Sequence, residues 1–397
     1  MARYVLGGDT WQITQVDKQL QITSGTAKST LRTFQTPEQA AAQLDRLVAE
    51  KVAAGYVVAA SDPRRPELEA AIAADPDAAP SYSVYGDWLE GQGDPRGPLI
   101  ALQVAAASRP AGAKKLEAAA AKHFEVHADY FLGALAQLAE RGGDVLTWRF
   151  GFIHKAHLHA ERHHPLDESL AHVLAHPSAR FLVELALGGN DRAQAAIDVL
   201  ARDAPASLRA LRLWSMWQLD LGALWAAMPE LRRLSLAGQA LALGALELPR
   251  LERLELVDSE LSNANARTLA RAPWPALQQL KLDFGTGCLT GDASIDDVFV
   301  LLGRADLPAL SRLALLHTRY IREVVRELPA SPLAPQLEAL DLSSNQMTDD
   351  HAIELARHRA RFPRLQQLDI SANRLTSIGI DALAGFAPKL RALRQDG

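Results

Sequence analysis

Residues 337–345 read Leu-Glu-Ala-Leu-Asp-Leu-Ser-Ser-Asn, and this stretch decides the fold. Its leucines follow the spacing L-x-x-L-x-L, in which apolar and polar residues alternate as they do in a β-strand with one buried face. A truncated last copy begins at Leu390. Full copies recur at intervals of 20–33 residues, and their first leucines are Leu182, Leu208, Leu231, Leu251, Leu277, Leu310, Leu337 and Leu365. The spacing therefore predicts a tandem array of similar structural units.

A second signal follows the strands. Asn190, Ser259, Asn345 and Asn373 each lie three residues after the last apolar strand position, and a leucine-alanine pair comes ten and eleven residues later. This fixed offset predicts a helix whose apolar face packs against the strand. An asparagine at the turn can bond backbone groups that the turn leaves unpaired. Residues 208–250 are shorter and rich in Pro and Gly, which predicts loop in place of a full helix there.

The repeats resemble leucine-rich repeats of the strand-plus-helix type found in ribonuclease inhibitor. The resemblance rests on the repeats from residue 180 onward and implies an α/β solenoid, with parallel strands on its concave face and helices on its convex face. We therefore expect a leucine-rich repeat domain over residues 146–397, preceded by two smaller domains, residues 1–60 and 61–145.

Residues 61–145 are rich in alanine and have helical periodicity. Helices are predicted over Pro66–Ala74 and Pro80–Glu90. A third is predicted to Ala107, with Asp94 as N-cap and Pro95 at the first helical position.

Two segments of this region carry a more specific resemblance. They are Val84–Glu90, which reads Val-Tyr-Gly-Asp-Trp-Leu-Glu, and Gly93–Gly97, which reads Gly-Asp-Pro-Arg-Gly. They resemble the small helical companion domain that precedes leucine-rich repeats in certain bacterial proteins. Trp148–Ile153 is similar to the entry strand that follows that domain. The resemblance implies an accessory module without an assigned activity.

Residues 1–60 have the pattern of strands followed by one helix. Strands are predicted at Arg3–Leu6, Thr10–Thr14, Gln19–Thr23 and Lys28–Phe34, and a capping signal at Thr36 predicts a helix to about Ala54. Trp11 lies near the start of this segment and Gly55-Tyr56 near its end.

This pattern resembles the WGR domain, best known from DNA-dependent poly(ADP-ribose) polymerases. The Trp-Gly-Arg triplet of the family aligns with Ser24-Gly25-Thr26, so the Trp and Arg that the resemblance implies for nucleic acid are absent. Residues 1–60 also hold only six Lys/Arg against five Asp/Glu, whereas phosphate binding recruits unopposed cations. We expect a protein-contact module here, with DNA binding as the alternative.

The sequence contains no recognisable catalytic motif. No phosphate loop, dinucleotide fingerprint or G-x-S-x-G elbow occurs, and Cys288 has no clear base near it in sequence. Seven of the twelve histidines fall within 154–176. Imidazoles bind metals, and Glu161 and Asp167 would supply a carboxylate, but the spacing matches no metal motif. A solvated histidine-rich loop is the competing interpretation. We therefore expect no enzyme activity, cofactor or functional metal site.

Composition narrows the class of protein. The chain has 397 residues, 42 Lys/Arg, 47 Asp/Glu and a formal net charge of −5. Its single cysteine excludes an intrachain disulfide, and the sequence has neither an export-signal pattern at its start nor an apolar run of membrane-spanning length. These features favour a cytoplasmic location and no contact with a membrane.

The remaining candidate for function is the solenoid surface. Residues between the strand leucines should face the concave side, where Trp214 beside arginines has the composition of a binding hot spot. The early repeats would be cationic and the late ones acidic. We predict a non-catalytic recognition or scaffold protein that binds a protein partner through Arg209, Arg212, Trp214, Arg232, Arg233, Arg253, Glu255, Lys281, Asp341 and Asp369. The alternative is a nucleic-acid-associated regulator acting through the WGR-like domain.

Overall fold

The structure is a computed structural model, and its backbone divides into two compact units. It describes residues 2–6, 9–24, 30–58, 63–109, 111–139, 145–160, 165–189, 193–239, 241–258, 261–284 and 295–395. The first unit is Met1–Gly133 with Arg149–Gly151, and the second is Ala134–Trp148 with Phe152–Gly397. The division into three domains at residues 60 and 145 stays a prediction.

The first unit begins with an antiparallel sheet and one helix, at nearly the positions that the alternating pattern predicts. The strands pair in the order β4-β3-β2-β1-β5. Trp11, Ile13 and Leu20 are buried with Ala40 and Tyr56 in one apolar core. The elements are β1 (Ala2–Leu6), β2 (Asp9–Val16), β3 (Gln19–Ser24), β4 (Thr30–Thr33), α1 (Pro37–Ala53) and β5 (Val57–Val58). The hydroxyl of Thr36 accepts the N–H of Gln39, which confirms the predicted cap.

Helices make up the rest of this unit. They are α2 (Pro66–Ala74), α3 (Ala79–Gly91), α4 (Arg96–Ser108), α5 (Ala113–Val126) and α6 (Ala128–Leu132). The first three confirm the predicted helices, although α4 begins at Arg96, one residue later than expected. The Asp94 carboxylate still caps it, because its Oδ1 accepts the N–H of Arg96 at 2.8 Å.

The Gly-Asp-Pro-Arg-Gly segment holds α3 against α4. A Cβ on Gly97 would lie 2.6 Å from the backbone nitrogen of Glu90 and 2.7 Å from the carbonyl oxygen of Gly86, so only glycine permits this approach. Asp94 accepts the hydroxyl of Tyr130 at 2.7 Å, and that hydroxyl accepts Nη1 of the buried Arg96 at 2.6 Å. The motif is therefore explained by packing.

The second unit contains eleven strands in one sheet, ordered in sequence from β6 to β16. From β7 to β16, each strand is parallel to the next. The strands are β6 (Val145–Arg149), β7 (Phe152–His159), β8 (Glu184–Gly189), β9 (Ala210–Ser215), β10 (Arg233–Gly238), β11 (Arg253–Asp258), β12 (Gln279–Asp283), β13 (Arg312–Leu316), β14 (Ala339–Asp341), β15 (Gln367–Asp369) and β16 (Lys389–Arg391). This mixed α/β architecture fits a leucine-rich repeat solenoid.

Short helices connect the strands. A first helix, α7 (Ala136–Ala139), precedes the sheet. The connections contain α8 (Leu166–Ala175), α9 (Ala193–Asp203), α10 (Asn263–Arg271), α11 (Ile295–Leu302), α12 (Ile321–Glu327), α13 (Asp349–Arg357) and α14 (Ser377–Ala382). Between β9 and β10 there is only the 3₁₀ turn Trp225–Ala227, and the described part of 239–252 contains no helix. The predicted loop in place of a helix over 208–250 is thus confirmed.

One predicted element is wrong. Trp148–Ile153 does not form a single entry strand, because β6 ends at Arg149 and β7 begins at Phe152. Between them Phe150 and Gly151 have φ values of 48° and 77°, which reverse the chain. The apolar run across 148–153 conceals this turn, since a glycine is its only local signal.

The strand leucines and the helices share one apolar core. Leu337, Leu340 and Leu342 of the deciding stretch are each at most 1% exposed, and the corresponding residues of the other repeats are buried with them. Alternation then directs the residues between the leucines to the opposite face of the sheet.

Candidate binding face

Side chains on the face opposite the leucines line an open groove of about 1020 Å³. Three rows of residues run across the strands on this face, as the strand pairing shows. The proximal row precedes the central leucine of each strand, the middle row follows it, and the distal row lies two residues beyond the middle row.

The first two rows form the groove floor and carry most of its charge. From β7 to β16 the proximal row is Lys155, Glu184, Ala210, Arg233, Arg253, Gln279, Arg312, Ala339, Gln367 and Lys389. The middle row is His157, Ala186, Arg212, Ser235, Glu255, Lys281, Ala314, Asp341, Asp369 and Arg391. From β7 to β13 the distal row is His159, Gly188, Trp214, Ala237, Val257, Asp283 and Leu316.

Three floor arginines have no protein partner for their charge. Arg212, Arg253 and Arg312 are exposed, and their guanidinium groups make no ion pair or hydrogen bond within the part of the chain that the structure describes. Arg253 and Arg312 are separated by one intervening strand, which places their backbones roughly 10 Å apart. These cations are available to an external ligand.

Between β7 and β13, the other floor cations are engaged. Glu184 Oε1 accepts Arg233 Nη2 at 2.6 Å, and Glu184 Oε2 lies 2.9 Å from Lys155 Nζ. Arg233 reaches across β9, where the intervening residue of the row is the small Ala210. Burial raises the pKa of the Glu184 carboxyl, but the hydrogen bonds from Lys155 and Arg233 outweigh burial and hold the pKa below its usual value.

A second floor carboxylate is held in the same manner. Lys281 Nζ lies 2.6 Å from Glu255 Oε1, and the hydroxyl of Ser235 donates to Glu255 Oε2 at 3.3 Å. Arg233, Glu255 and Lys281 therefore lie on the predicted face, but each already has an intramolecular partner.

Two predicted site residues lie elsewhere. Arg209 is buried, 6% exposed, and its Nη1 donates to the carbonyls of Ala206 and Leu208. Arg232 is exposed but precedes β10, and its Nη1 pairs with Glu252 at 3.3 Å outside the groove. Both precede the central leucine by two residues, so the period of two directs them away from the groove face.

Asp341 and Asp369 lie in the groove and also stabilise the turns that follow their strands. The Oδ1 atoms accept the N–H groups of Ser343 and Ser371, each at 2.9 Å. On β16, Arg391 lies beside Asp369, with Nε 3.6 Å from Oδ2, and Lys389 lies beside Gln367, so the late end of the groove has mixed charge. The expectation of an acidic late end was wrong, because Leu390 is the central leucine of the last strand and not its first, which puts the cations on either side of it in the groove.

Trp214 belongs to a short exposed apolar segment. Trp214, Met216 and Trp217 are 51%, 63% and 57% exposed. The buried hydroxyl of Ser215 accepts the N–H of Trp217 at 3.1 Å, which fixes the turn that carries these side chains. In the distal row Trp214 lies between Gly188 and Ala237, so its immediate neighbours on the sheet are small.

The histidine-rich segment does not form a metal site within the described residues. His157 and His159 share one face of β7, with ring centroids 4.2 Å apart, as alternation predicts. No group of three or more His, Cys, Asp or Glu side chains converges in the described ranges. His163, His164, Glu161 and Cys288 lie outside those ranges.

The residues aligned with the WGR triplet are only partly described. Ser24 ends β3, opposite Trp11 of β2, while Gly25 and Thr26 lie outside the described residues. Trp11 is 3% exposed, and the ammonium of Lys51 lies 5.6 Å from its ring centroid and 4.5 Å from that of Tyr56. Trp11 is therefore a core residue with no face for stacking on a base.

Comparison with known proteins gives a family match for one repeat. Residues 335–356 match the leucine-rich repeat family model. The matched residues include the stretch 337–345, β14 and the start of α13. No curated protein matches the chain. Among solved structures, a protein from Bacteroides fragilis is similar over 98% of this chain and 95% of its own, with 17% identity and a TM-score of 0.49. Across the described residues, no helix has both the length and the apolar composition needed to cross a bilayer.

Some residues of the groove face were not predicted from the sequence. Lys155, Glu184, Lys389 and Arg391 line the groove but were not predicted. Counting one residue to each side of every central leucine would have found Glu184, but Lys155 flanks Ala156, and Leu390 was not predicted to be a central leucine. A leucine-rich repeat indicates a role in protein interaction, and the fold is generally non-catalytic.

Proposed function

We propose that this protein is a non-catalytic recognition protein or scaffold that holds a protein partner in the groove. The observation that carries the proposal is the set of three exposed arginines on the groove floor, Arg212, Arg253 and Arg312, none of which has a partner among the described residues. Arginine is enriched in protein interfaces, where its planar group donates several hydrogen bonds at once.

The sheet gives these arginines a fixed spacing. Each follows or precedes a central leucine that is at most 2% exposed, so the backbone that carries it is anchored in the core. Preorganised side-chain positions reduce the ordering cost of association. The nucleic-acid alternative depends on the WGR resemblance, and the burial of Trp11 gives it no further support.

Site-specific photo-crosslinking tests where a partner binds. A photoreactive residue is placed at Ala186 or Ala314, which line the groove in the middle row, and at the exposed Arg326 on α12 as the control. In cell lysate we expect crosslinked protein adducts from the two groove positions and none from position 326. Adducts from position 326 alone would place recognition on the helical side and contradict the proposal.

A further inference from the structure

The charge of the groove floor is concentrated in its first seven strands. In the proximal and middle rows of β7 to β13, two carboxylates, Glu184 and Glu255, face six cations. These are Lys155, Arg212, Arg233, Arg253, Lys281 and Arg312. The whole chain has a net charge of −5, so this excess of positive charge is local to the face. A ligand that complements it must be anionic.

An apolar row runs beside the charged ones. In the distal row Trp214, Ala237 and Val257 are neighbours on β9, β10 and β11. Met216 and Trp217 extend the apolar surface beyond the end of β9. Arg212 and Trp214 are two residues apart on the same face of one strand, so anionic and apolar groups of a single ligand would meet both.

We propose, on the basis of the function proposed above, that the partner is an extended acidic protein segment with an apolar anchor. The anchor packs on Trp214, Met216 and Trp217, and the carboxylates pair with Arg212, Arg253 and Arg312. An extended chain advances roughly 3.3 Å per residue, so acidic residues about three positions apart match the spacing of Arg253 and Arg312.

A protein segment fits this face better than a nucleic acid does. The phosphate backbone of a nucleic acid carries a negative charge at every nucleotide. Glu184 and Glu255 lie in the same rows as the arginines and engage Lys155, Arg233 and Lys281, so the floor does not offer an uninterrupted row of free cations to a phosphate backbone. In a protein segment, by contrast, carboxylates can lie only opposite the unpaired arginines. An apolar side chain of the same segment can pack on the distal row.

Selection from a displayed library of random 12-residue peptides tests the proposal on the full chain. We expect enrichment of peptides that combine several Asp or Glu residues with a Leu, Phe or Trp. Enrichment of basic or uncharged peptides, or no enrichment at all, would overturn the proposal. A labelled DNA duplex is titrated in parallel, and binding as tight as that of the selected peptides would assign the surface to polyanions instead.

Matched variants then locate the bound peptide. Arg253→Gln and Gln367→Glu each lower the net charge by one in the proximal row, on β11 and β15 respectively. We expect Arg253→Gln to weaken peptide binding at least tenfold and Gln367→Glu to change it less than twofold. Equal effects of the two variants would mean that only the net charge of the protein matters, and the proposal would be wrong.

A second pair of variants tests the apolar anchor. Trp214→Ser removes an exposed apolar group from the distal row, and Ile378→Ser removes one that is 62% exposed on α14. We expect a tenfold or larger loss for Trp214→Ser only. Equal binding by wild type and Trp214→Ser would remove the anchor from the proposal.

The outcomes separate the two proposals. If photo-crosslinks arise from Ala186 and Ala314 while peptide selection yields no acidic sequences, the groove binds a partner of different chemistry. The function proposed above then stands, and this inference fails. If crosslinks arise only from position 326, both fail.

Discussion

The side-chain oxygen of Asn373 accepts the backbone N–H of Asn345 at 2.9 Å, although the two residues are 28 positions apart. The same oxygen accepts the N–H of Met347, and Nδ2 of Asn373 donates to the carbonyls of Leu342 and Ile370. Asn345 repeats the arrangement one repeat earlier, where it bonds Thr318 and Leu315. Each asparagine thus satisfies buried backbone groups of the preceding repeat, and Asn373 also bonds its own repeat through the carbonyl of Ile370.

Asn373→Ala is expected to destabilise the protein strongly. The change leaves the N–H groups of Asn345 and Met347 and the carbonyl of Leu342 without their partner, and an unsatisfied buried polar group costs roughly 1–3 kcal/mol. We expect the free energy of unfolding to fall by about 3 kcal/mol or more. Gln367→Ala changes an exposed side chain on β15 and should alter the free energy of unfolding by less than about 0.5 kcal/mol. Chemical denaturation checks both values, and similar midpoints would contradict the role of Asn373.

Leu340→Ala tests the shared core of the repeats. Leu340 is 1% exposed, so its truncation loses transfer free energy and leaves a cavity, a combined cost of about 2–5 kcal/mol. In a solenoid the damage extends to adjacent repeats, because each buries its apolar face against the next. Hydrogen exchange should therefore increase in β13 and β15 as well as β14. Leu393→Ala, at a position 56% exposed, is the control and should leave exchange unchanged.

The close approach of α3 and α4 predicts opposite effects for two glycines. Gly97→Ala would place a Cβ 2.6 Å from the backbone nitrogen of Glu90, and such overpacking costs about 1–3 kcal/mol. Gly91→Ala meets no atom within 4 Å and gains helix propensity of up to about 1 kcal/mol. Thermal unfolding followed by circular dichroism should show a lower melting temperature for the first variant only. A neutral Gly97→Ala would show that the helices can separate without cost.

The ion pairs of Glu184 with Lys155 and Arg233 predict that the stability of the protein depends on pH with a definite sign. Because the folded-state pKa of Glu184 is lowered, its contribution to stability is complete above the carboxyl pKa of the unfolded chain. It is lost as the pH falls through the folded-state pKa. A carbon-13 NMR titration should place the Glu184 pKa below the ordinary value for glutamate. Lys155→Met should raise it by removing one hydrogen-bond donor, and Glu184→Gln identifies the resonance. A pKa unchanged by Lys155→Met would exclude that contribution.

Much of the fold depends on local features of the sequence and could be predicted from them. The leucine spacing located β8 to β15, and the Thr36 cap and the Asp94-Pro95 pair located the starts of α1 and α4 within one residue. These signals act through a few neighbouring residues, because a strand alternates with a period of two and a cap bonds a backbone group within three positions. The turn at Phe150 and Gly151 was missed, since its positive φ angles leave little trace in the residue types.

The candidate site was predicted in part. Alternation placed Arg212, Arg233, Arg253, Glu255 and Lys281 on the groove face. The same rule, applied strictly, excludes Arg209 and Arg232, which precede the central leucine by two residues. The prediction failed there because both intervening residues of each repeat were assigned to one face.

The sequence by itself determined which side chains point into the groove, whereas only the tertiary structure decided which of them are free. Glu184 and Arg233 are 49 positions apart and pair at 2.6 Å because β8 and β10 flank β9, where Ala210 leaves room for the arginine to cross. Arg253, one strand further along, forms no ion pair with any described residue. Whether a charged side chain forms an ion pair depends on the order of the strands in the sheet and on the size of the residue on the strand between them. Neither feature follows from residues that are close in sequence.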